Sequence, residues 1–322
     1  MTSDRRYLVW SALGIVYLVW GSTYLAIRVV VREAPPLLSM GTRFLVAAAI
    51  LATILGLRYG VSHLRLGARQ ALATAFLGLM LPCLGNGMVS VAESHGEPSG
   101  VTALLIAMVP LLIVVYRSLG GDRPRRLTLV GVLLGFVGLA VLVLIGGHGA
   151  ARVPLGPSLV VVFAASCWAL GSYLQPQLWL PRDVLVTAVY EMAFGGLALV
   201  TLGAVTGERF SGSYDTRTWV ALGYLVVFGS VVAFTSYVWL VANAPISFVA
   251  TYAYVNPMVA VFLGWLILSE PVTAAIFVGG GIVVLAVAVV IGGERPRAPR
   301  LSPDRSRPEG HPPSARAGRT AG

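Results

Sequence analysis

The same spacing of landmark residues occurs twice along the chain. Trp20 precedes the charged residue Arg43 by 23 positions in otherwise apolar sequence, and Trp168 precedes the charged residue Glu191 by the same distance. The stretches TALLIAMVP and VATYAYVNP each place a proline seven residues after an alanine. All of these matches are offset by 147 or 148 residues. A constant offset over several apolar segments predicts two copies of one membrane-spanning unit, an arrangement typical of secondary transporters.

Composition indicates a membrane protein with no room for a soluble domain between the apolar segments. Of the 322 residues, 57% are hydrophobic and 11% are charged, whereas about 25% are charged in a typical soluble domain. A helix needs about 20 apolar residues to cross a bilayer. We therefore predict an all-α membrane protein with ten transmembrane helices, at about residues 7–31, 36–57, 70–92, 98–117, 127–146, 156–178, 184–206, 218–240, 246–268 and 273–291.

The predicted helices divide into two inverted repeats. Each copy contains five helices, an odd number, so the second copy enters the membrane upside down relative to the first. The predicted units are a first repeat at 1–147, a second repeat at 148–293 and a basic tail at 294–322. The tail is rich in Pro, Arg, Ser and Gly, and we expect it to be disordered.

The arginines predict the orientation of the helices. A net charge of +10 would suggest nucleic-acid binding in a soluble protein, but here most arginines flank predicted helices. With a cytoplasmic N-terminus, the outer loops hold only Arg32, Arg152, Arg209 and Arg217. The positive-inside rule then places both termini in the cytoplasm of a multi-pass protein of the bacterial inner (plasma) membrane. The tail either attracts anionic lipid or binds a specific partner, and no nucleic-acid partner is expected.

Three segments resemble a known family of transporters. They are WGSTYLAIRVVVREAPPLLSMGTRFLVAA at 20–48, GNGMVSVAESHGEPSG at 85–100 and ATYAYVNPMVAVFLGW at 250–265. They are similar to the EamA family of the drug/metabolite transporter superfamily, and within it to the YedA-type inner-membrane exporters. The resemblance implies ten helices in two EamA repeats, a central cavity, and export of small metabolites or drugs. It implies no particular substrate.

Charged residues within predicted helices are the first site candidates, because a charge at the helix centre costs at least about 2.5–3.5 kcal/mol. Arg43 and Glu191 hold equivalent positions but differ in height by about 10 Å in a bilayer core of roughly 30 Å. We therefore expect each to serve its own half, in transport or in helix pairing, without a direct ion pair. Arg28 and Glu93 lie near outer helix ends. They either join Arg43 in an outer-side polar cluster or extend toward the interface.

Aromatic and amide residues are the second group of candidates. Trp20 and Trp168 are predicted at mid-membrane, away from the interfaces where Trp is usually found. They either line a cavity and stack on substrate or pack in the core. Asn256 is followed by Pro257 and alternatively satisfies backbone groups near this proline. Further candidates for cavity lining or coupling are Tyr24, Asn86, Tyr190, Tyr252, Tyr254 and Asn256.

Proline and glycine predict local features of the scaffold. Pro110 and Pro257 fall within predicted helices 4 and 9, where each should bend its helix and free a carbonyl, that of Ile106 or of Ala253. Such a kink either serves a cavity or gating, or only shapes the packing. The glycines of GVLLGFVG and GGG predict a tight pair between helices 5 and 10. The same pair is a candidate contact for a homodimer.

The sequence lacks the residue spacings that disulfide, redox or metal chemistry needs. Cys83 and Cys167 lie in apolar helices without a CxxC spacing. The four histidines have no metal-ligand spacing, so we predict no metal site and no cofactor. We interpret His95, together with Glu93 and Glu97, as a solvated loop cluster.

These patterns predict a secondary active transporter, not an enzyme, that exports a small amphipathic or aromatic molecule by alternating access. The driving force is either proton antiport, with Glu191 as the candidate proton carrier, or the substrate's own gradient. An importer with the same fold is the main alternative. A channel or a structural partner protein is another alternative, and neither would need two gates that open in turn. A membrane-embedded transferase would need clustered acids, histidines or a metal motif at one interface.

Overall fold

The computed structural model describes residues 3–121, 124–141, 154–244, 249 and 251–293. These residues form ten main helices and contain no β-strand, so the predicted all-helical fold is confirmed. The predicted tail at 294–322 and most of the predicted repeat junction, at 142–153, lie outside the described residues. The helices are α1 (Tyr7–Val31), α2 (Pro36–Tyr59), α3 (Ala68–Ser94), α4 (Ser99–Leu119), α5 (Arg126–Ala140), α6 (Leu155–Gln177), α7 (Val184–Val205), α8 (Thr216–Asn243), α9 (Tyr252–Leu268) and α10 (Ala274–Gly293).

The helices carry apolar surface on their outside. Within the described ranges, seven helices, α1–α4 and α6–α8, are long and apolar enough to cross a membrane. The apolar stretches of α5, α9 and α10 are each 10–17 residues long. Large hydrophobic side chains such as Leu133, Phe262 and Phe277 are more than half exposed. Exposed apolar area of this extent suits contact with lipid and not with water.

Helices α5 and α10 pack closely against each other because glycines remove the side chains between them. A methyl group on Gly138 would lie 2.9 Å from the Val283 backbone nitrogen, and one on Gly131 would lie 3.0 Å from the Ala286 carbonyl oxygen. Only glycine allows helices to approach this far. The tight pair predicted for these helices is confirmed as a contact within one chain, and the homodimer contact stays a prediction.

A second glycine-lined contact joins α7 to α2 and α3. A methyl group on Gly41 of α2 would lie 2.9 Å from the Val200 backbone nitrogen. One on Gly78 of α3 would lie 2.7 Å from the Glu191 carbonyl oxygen. These close approaches bring the helices that carry Arg43 and Glu191 into the same part of the bundle.

Many of the contacts between helices have a counterpart in the other half of the chain. If each helix is replaced by the one five places further along or back, these contacts map onto other observed contacts. Helix α1 packs on α9 as α6 packs on α4, and α2 packs on α8 as α7 packs on α3. The pairs α2–α7 and α5–α10 are unchanged by the exchange. Most central contacts therefore join the N-terminal half of the sequence to its C-terminal half, and a site between these helices draws side chains from both.

Several helices depart from regular α-helical geometry. Helix α4 is interrupted just before Pro110, as predicted for a proline within a helix. Pro257 lies about one turn into α9, and the helix continues through it. Helices α3 and α8 contain π-helical segments at Leu79–Gly87 and Leu225–Phe234, which the sequence patterns did not indicate. Such segments occur frequently at functional sites.

Candidate functional site

Four aromatic side chains from four helices meet near the middle of the bundle. The ring centroid of Trp20 lies 5.4 Å from that of Trp168, 4.8 Å from that of Tyr237 and 5.7 Å from that of Tyr252. The contacts of Trp20 with Trp168 and Tyr252 are edge to face, a favourable geometry for aromatic rings. The structure thus brings together the two tryptophans of the repeat. It adds Tyr237, which no sequence pattern had indicated.

Hydrogen bonds hold the polar ends of these rings. Trp168 Nε1 donates to Tyr237 Oη at 3.2 Å, and Ser172 Oγ lies 2.8 Å from the same hydroxyl. Trp20 Nε1 donates to the Gly229 carbonyl oxygen at 3.3 Å. A buried indole N–H needs an acceptor, and the π-helical segment of α8 supplies one here. The cluster is therefore fixed in orientation as well as in position.

A cavity of about 40 Å³ lies beside this aromatic cluster. Such a volume accommodates only a few water molecules, so the bundle is closed around its centre. Tyr24 and Asn86, both predicted from the sequence, belong to the lining. Ile106, which precedes the break in α4, belongs to it as well. The lining residues come from both halves and are Trp20, Thr23, Tyr24, Gly85, Asn86, Val89, Ile106, Trp168 and Tyr252.

A larger groove of about 560 Å³ runs along α4, α9 and α10. Phe262, Trp265 and Phe277 line it and are more than half exposed, and none of the described lining residues is charged. The groove resembles surface that faces lipid tails, and only Trp265 among these described residues carries a polar side-chain group. The small central cavity is therefore the better candidate for a functional site.

Arg43 reaches from α2 toward α3 and α8 and is 1% exposed. Its Nε donates to Ser230 Oγ at 2.8 Å, and its Nη1 donates to Asn86 Oδ1 at 3.1 Å. The guanidinium carbon lies 4.8 Å from the centroid of the Phe44 ring. All of these partners are neutral. Since Asn86 lines the cavity, a positive charge is held directly behind the cavity wall.

Glu191 of α7 is fully buried. Neither of its carboxylate oxygens has a hydrogen-bond partner in the described part of the chain. No ion pair joins Glu191 to Arg43 among those residues, as expected from their difference in height. Within the described residues Glu191 is therefore a buried acid without a compensating charge or donor, which is rare in stable protein interiors.

Two other candidates lie away from the cavity lining. Tyr190 Oη donates to the Leu64 carbonyl oxygen at 2.6 Å, near the end of the bundle where α7 begins. Asn256 is 2% exposed, and its amide, oriented with the nitrogen toward α1, donates to the Tyr17 carbonyl oxygen at 3.1 Å. This bond ties α9 to a short π-helical segment of α1, Val16–Trp20. Tyr254 lies in α9, and its side chain is outside the described part of the structure.

Arg28 and Glu93 are neighbours, but they do not join Arg43 in one cluster. Arg28 Nη1 donates to the backbone carbonyl oxygen of Glu93, whereas Arg43 turns toward Ser230 on α8. The interpretation of Glu93 and Glu97 as solvated loop residues is wrong, because both are fully buried. Neighbouring helices cover them, which the loop position in the sequence did not indicate.

Carboxylates connect the two halves of the chain where α2, α4, α6 and α8 begin, and we call this end of the bundle the cap end. Glu208, which follows α7, accepts hydrogen bonds from the backbone nitrogens of Leu37 and Leu38 at 3.2 and 2.9 Å. Glu270, which follows α9, accepts from Ser99 N at 3.1 Å and from Ser99 Oγ at 2.8 Å. Both satisfy free N–H groups at a helix N-terminus, where negative charge is favourable.

Carboxylates of the N-terminal half also accept hydrogen bonds at helix starts of the C-terminal half. Glu33, which follows α1, accepts hydrogen bonds from Asp215 N at 3.1 Å and from Thr218 Oγ1 at 2.8 Å at the start of α8. Glu97, between α3 and α4, accepts from Ser158 Oγ at 2.9 Å near the start of α6. Four carboxylates, two from each half, therefore hold the cap end closed.

The opposite end of the bundle is joined by more exposed contacts. His63 Nε2 lies 2.7 Å from Asp183 Oδ2, and both side chains are about one-third exposed. Asp183 also accepts a hydrogen bond from Leu185 N at 2.8 Å and caps α7. Exposed ion pairs of this kind contribute only about 0–1 kcal/mol. This end is therefore held less firmly than the cap end.

The buried carboxyl of Glu97 should make stability depend on pH. Burial raises the pKa of Glu97 to about 7, although the Ser158 hydrogen bond and the Arg28 charge act to lower it. The folded chain therefore keeps this proton to a higher pH than the unfolded chain does, and stability is lost as the pH rises from about 4.5 through 7. Glu97→Gln should remove this loss and stabilise the protein above pH 7 by up to roughly 3 kcal/mol.

Thermal melts of the purified protein in detergent at pH 4.5 and pH 8 test this expectation. The two proteins should differ little at pH 4.5, where both side chains are neutral, and the variant should melt higher at pH 8. The pH 4.5 comparison is the internal control for any effect of the amide itself. Equal pH dependence of the two proteins would show that Glu97 does not titrate in this range.

Comparisons with known proteins indicate the class of this protein. A family model described as the EamA-like transporter family matches residues 9–144 and again residues 156–292. YedA of Escherichia coli (strain K12), named as an uncharacterized inner membrane transporter, is 35% identical over 297 residues, which are 92% of this chain and 95% of YedA. YvbV of Bacillus subtilis (strain 168), named as an uncharacterized transporter, is 25% identical over 280 residues, 86% of this chain and 90% of YvbV.

A solved structure shares the fold. A protein chain of known crystal structure aligns with a TM-score of 0.62 over 90% of this chain and 98% of its own length. The two sequences are 21% identical. At this level of identity the similarity concerns the arrangement of the helices.

Proposed function

Because the chain belongs to the EamA-like transporter family, as its sequence motifs predicted, we propose that it is a secondary active transporter that exports small metabolites or drugs by alternating access. The central observation behind this proposal is a closed aromatic cavity between two halves of the chain. Contacts between the same two halves seal both ends of the bundle. A carrier that alternates access needs this combination of one central site and two separate closures.

The proposed architecture is ten membrane-spanning helices in two inverted repeats. The family model matches each half of the chain separately, and the helix contacts recur on exchange of the halves. We assign α5, α9 and α10 as spans despite the shorter apolar stretches within their described residues. With both termini in the cytoplasm of a bacterial inner membrane, the cap end faces outward.

The cap-end carboxylates form the proposed outer gate. Each hydrogen bond that holds this end joins one half of the chain to the other, so the halves cannot separate there while the bonds persist. A hydrogen bond to a charged group contributes about 1.5–3 kcal/mol and one between neutral groups about 0.5–1.5 kcal/mol, and the bonds of the four side chains act together. The exposed contacts of His63 and Asp183 form the weaker inner gate. Opening either end exposes the same central cavity.

The aromatic cavity is the proposed substrate site. Rings of Trp20, Trp168 and Tyr252 present apolar faces suited to a small planar or amphipathic molecule. Glu191 is the proposed proton carrier, because a carboxylate without a partner is expensive to bury in its ionised form. Export would then be driven by proton antiport. Family membership argues against a membrane-embedded transferase, and an importer that uses the same site is the alternative.

An untargeted comparison of metabolites inside and outside cells tests the proposal. Cells express the wild type, an Arg43→Ala/Glu191→Ala variant or no transporter, and the amount of each protein in the membrane is measured as a control. We expect at least one compound to accumulate outside only with the wild type. A compound that accumulates inside instead would establish import. Identical profiles for the wild type and the empty cells would contradict transport.

A further inference from the structure

The guanidinium of Arg43 carries a buried charge that no carboxylate of the described residues neutralises. No carboxylate lies within 4 Å of it among the residues that the structure describes. Its hydrogen bonds go to the neutral atoms Ser230 Oγ and Asn86 Oδ1, with a weaker contact to Met40 Sδ at 3.6 Å. A buried charge is normally paired, and an unpaired one is strongly destabilising. Because Arg43 has only neutral partners among the described residues, we expect a ligand to supply the opposite charge.

One nitrogen of this group, Nη2, lies near a residue of the cavity wall. The hydrogen bonds of Arg43 use Nε and Nη1, and none from Nη2 reaches an acceptor in the described residues. Nη2 lies close to Gly229, where a methyl group would be 2.9 Å from it and 3.1 Å from Thr23 Cγ2. Thr23 is part of the cavity lining. The glycine in α8 thus leaves space for the guanidinium next to the cavity.

Asn86 extends this donor set into the cavity itself. A guanidinium has only donors, so the bond at 3.1 Å fixes Asn86 Oδ1 toward Arg43 and turns the amide nitrogen away from it. Asn86 lines the cavity, and its amide N–H groups are available to an acceptor there. An amide nitrogen backed by a positive charge favours a negatively charged oxygen.

We infer that the transported substrate is a small aromatic carboxylate, which enters when one end of the bundle opens and the cavity enlarges. Its ring then lies against Trp20 and Trp168, and its negative group is bound by Asn86 and Arg43. This inference rests on the proposed function and specifies its substrate class. Among the described residues the cavity lining contains no acidic residue, so the ammonium group of a zwitterion or of a cationic amine would find no carboxylate to pair with there. A neutral amide of the same shape would leave the charge of Arg43 unpaired.

Matched probes test the charge requirement directly. Benzoate, benzamide and benzamidine share one shape and carry charges of −1, 0 and +1, and 2-naphthoate with 2-naphthamide forms a larger pair. Binding to the purified full-length chain in detergent is measured by calorimetry. We expect at least one carboxylate to bind ten times or more tightly than its amide, and benzamidine not to bind. Equal affinities within both pairs, or no binding by either carboxylate, would overturn the inference.

Asn86→Asp supplies the missing carboxylate from the protein. The variant side chain has nearly the same shape as asparagine, and its oxygen would pair with Arg43 at the position of Asn86 Oδ1. We expect the unliganded variant to melt at a higher temperature than the wild type and to lose the preference for carboxylates by a factor of ten or more. Asn86→Leu is the control for loss of the amide, and it should not melt higher. If Asn86→Asp binds carboxylates as the wild type does, Arg43 has only a structural role.

Exchange across vesicle membranes separates this inference from the proposed function. Proteoliposomes loaded with the better-bound carboxylate are assayed for saturable counterflow of the same labelled compound. Binding without counterflow would contradict transport and leave the anion site standing. Counterflow of the amides at the same rate as the acids would leave transport standing and refute the requirement for a negative charge.

Discussion

Glu191→Gln is expected to abolish transport driven by a pH gradient while leaving substrate binding largely intact. The carboxylate is fully buried, and neither oxygen has a hydrogen-bond partner in the described part of the chain. Such a group is stable when protonated and costs several kcal/mol when ionised in a dry environment. Glutamine has nearly the same shape and cannot release a proton. The variant should therefore keep the packing of α7 and lose the coupling of transport to the proton gradient.

Proteoliposomes with an imposed pH gradient provide the measurement. Transport by the wild type should follow the size of the gradient, whereas Glu191→Gln should show only exchange that is independent of pH. Glu191→Asp is the matched control, since it keeps a titratable acid at the same position and should retain part of the coupling. A Glu191→Gln protein that still follows the gradient would exclude this residue as the proton carrier.

Gly78→Ala is expected to destabilise the fold strongly, because it adds a methyl group between two closely packed helices. That methyl group would lie 2.7 Å from the Glu191 carbonyl oxygen and 2.9 Å from the Gly195 backbone nitrogen. Both neighbours are backbone atoms of α7 and cannot move without shifting the whole helix. Overpacking typically costs about 1–3 kcal/mol, and we expect the upper end of this range because no flexible side chain can yield.

Gly223→Ala is the control for this prediction. Gly223 lies in α8, and a methyl group there would meet no atom within 4 Å. Alanine has a higher helix propensity than glycine by about 1 kcal/mol, so this variant should be neutral or more stable. Thermal melts in detergent should therefore move in opposite directions for the two variants. Equal shifts would show that α3 and α7 do not pack as closely as described.

The sequence was sufficient for the features that depend on local composition. Runs of apolar residues specify helices that bury their backbone hydrogen bonds within themselves, so the all-helical fold follows without knowledge of long-range contacts. The pairing of α5 with α10 followed from glycines, because a missing side chain is visible in the sequence. The break in α4 followed from Pro110, which lacks the N–H that a regular helix requires.

The candidate site was predictable only in part. Trp20, Trp168 and Arg43 stood out because aromatic rings and charges are unusual at mid-membrane, and the repeat doubled that evidence. Tyr237 was missed because a tyrosine in an apolar helix has no distinguishing pattern in the sequence. Its importance comes from bonds to Trp168 and Ser172 on another helix, 69 and 65 residues away along the chain.

The role of the cap-end carboxylates could be recognised only from the tertiary structure. Glu208 and Glu270 follow helices and look like ordinary solvated loop residues in the sequence, yet each caps a helix 170 or 171 residues away. Glu97 likewise is buried in the folded chain, where Ser158 at the start of α6 donates a hydrogen bond to it. Hydropathy and spacing report what a segment prefers locally, whereas these carboxylates acquire their role from helix ends that the folded chain brings next to them.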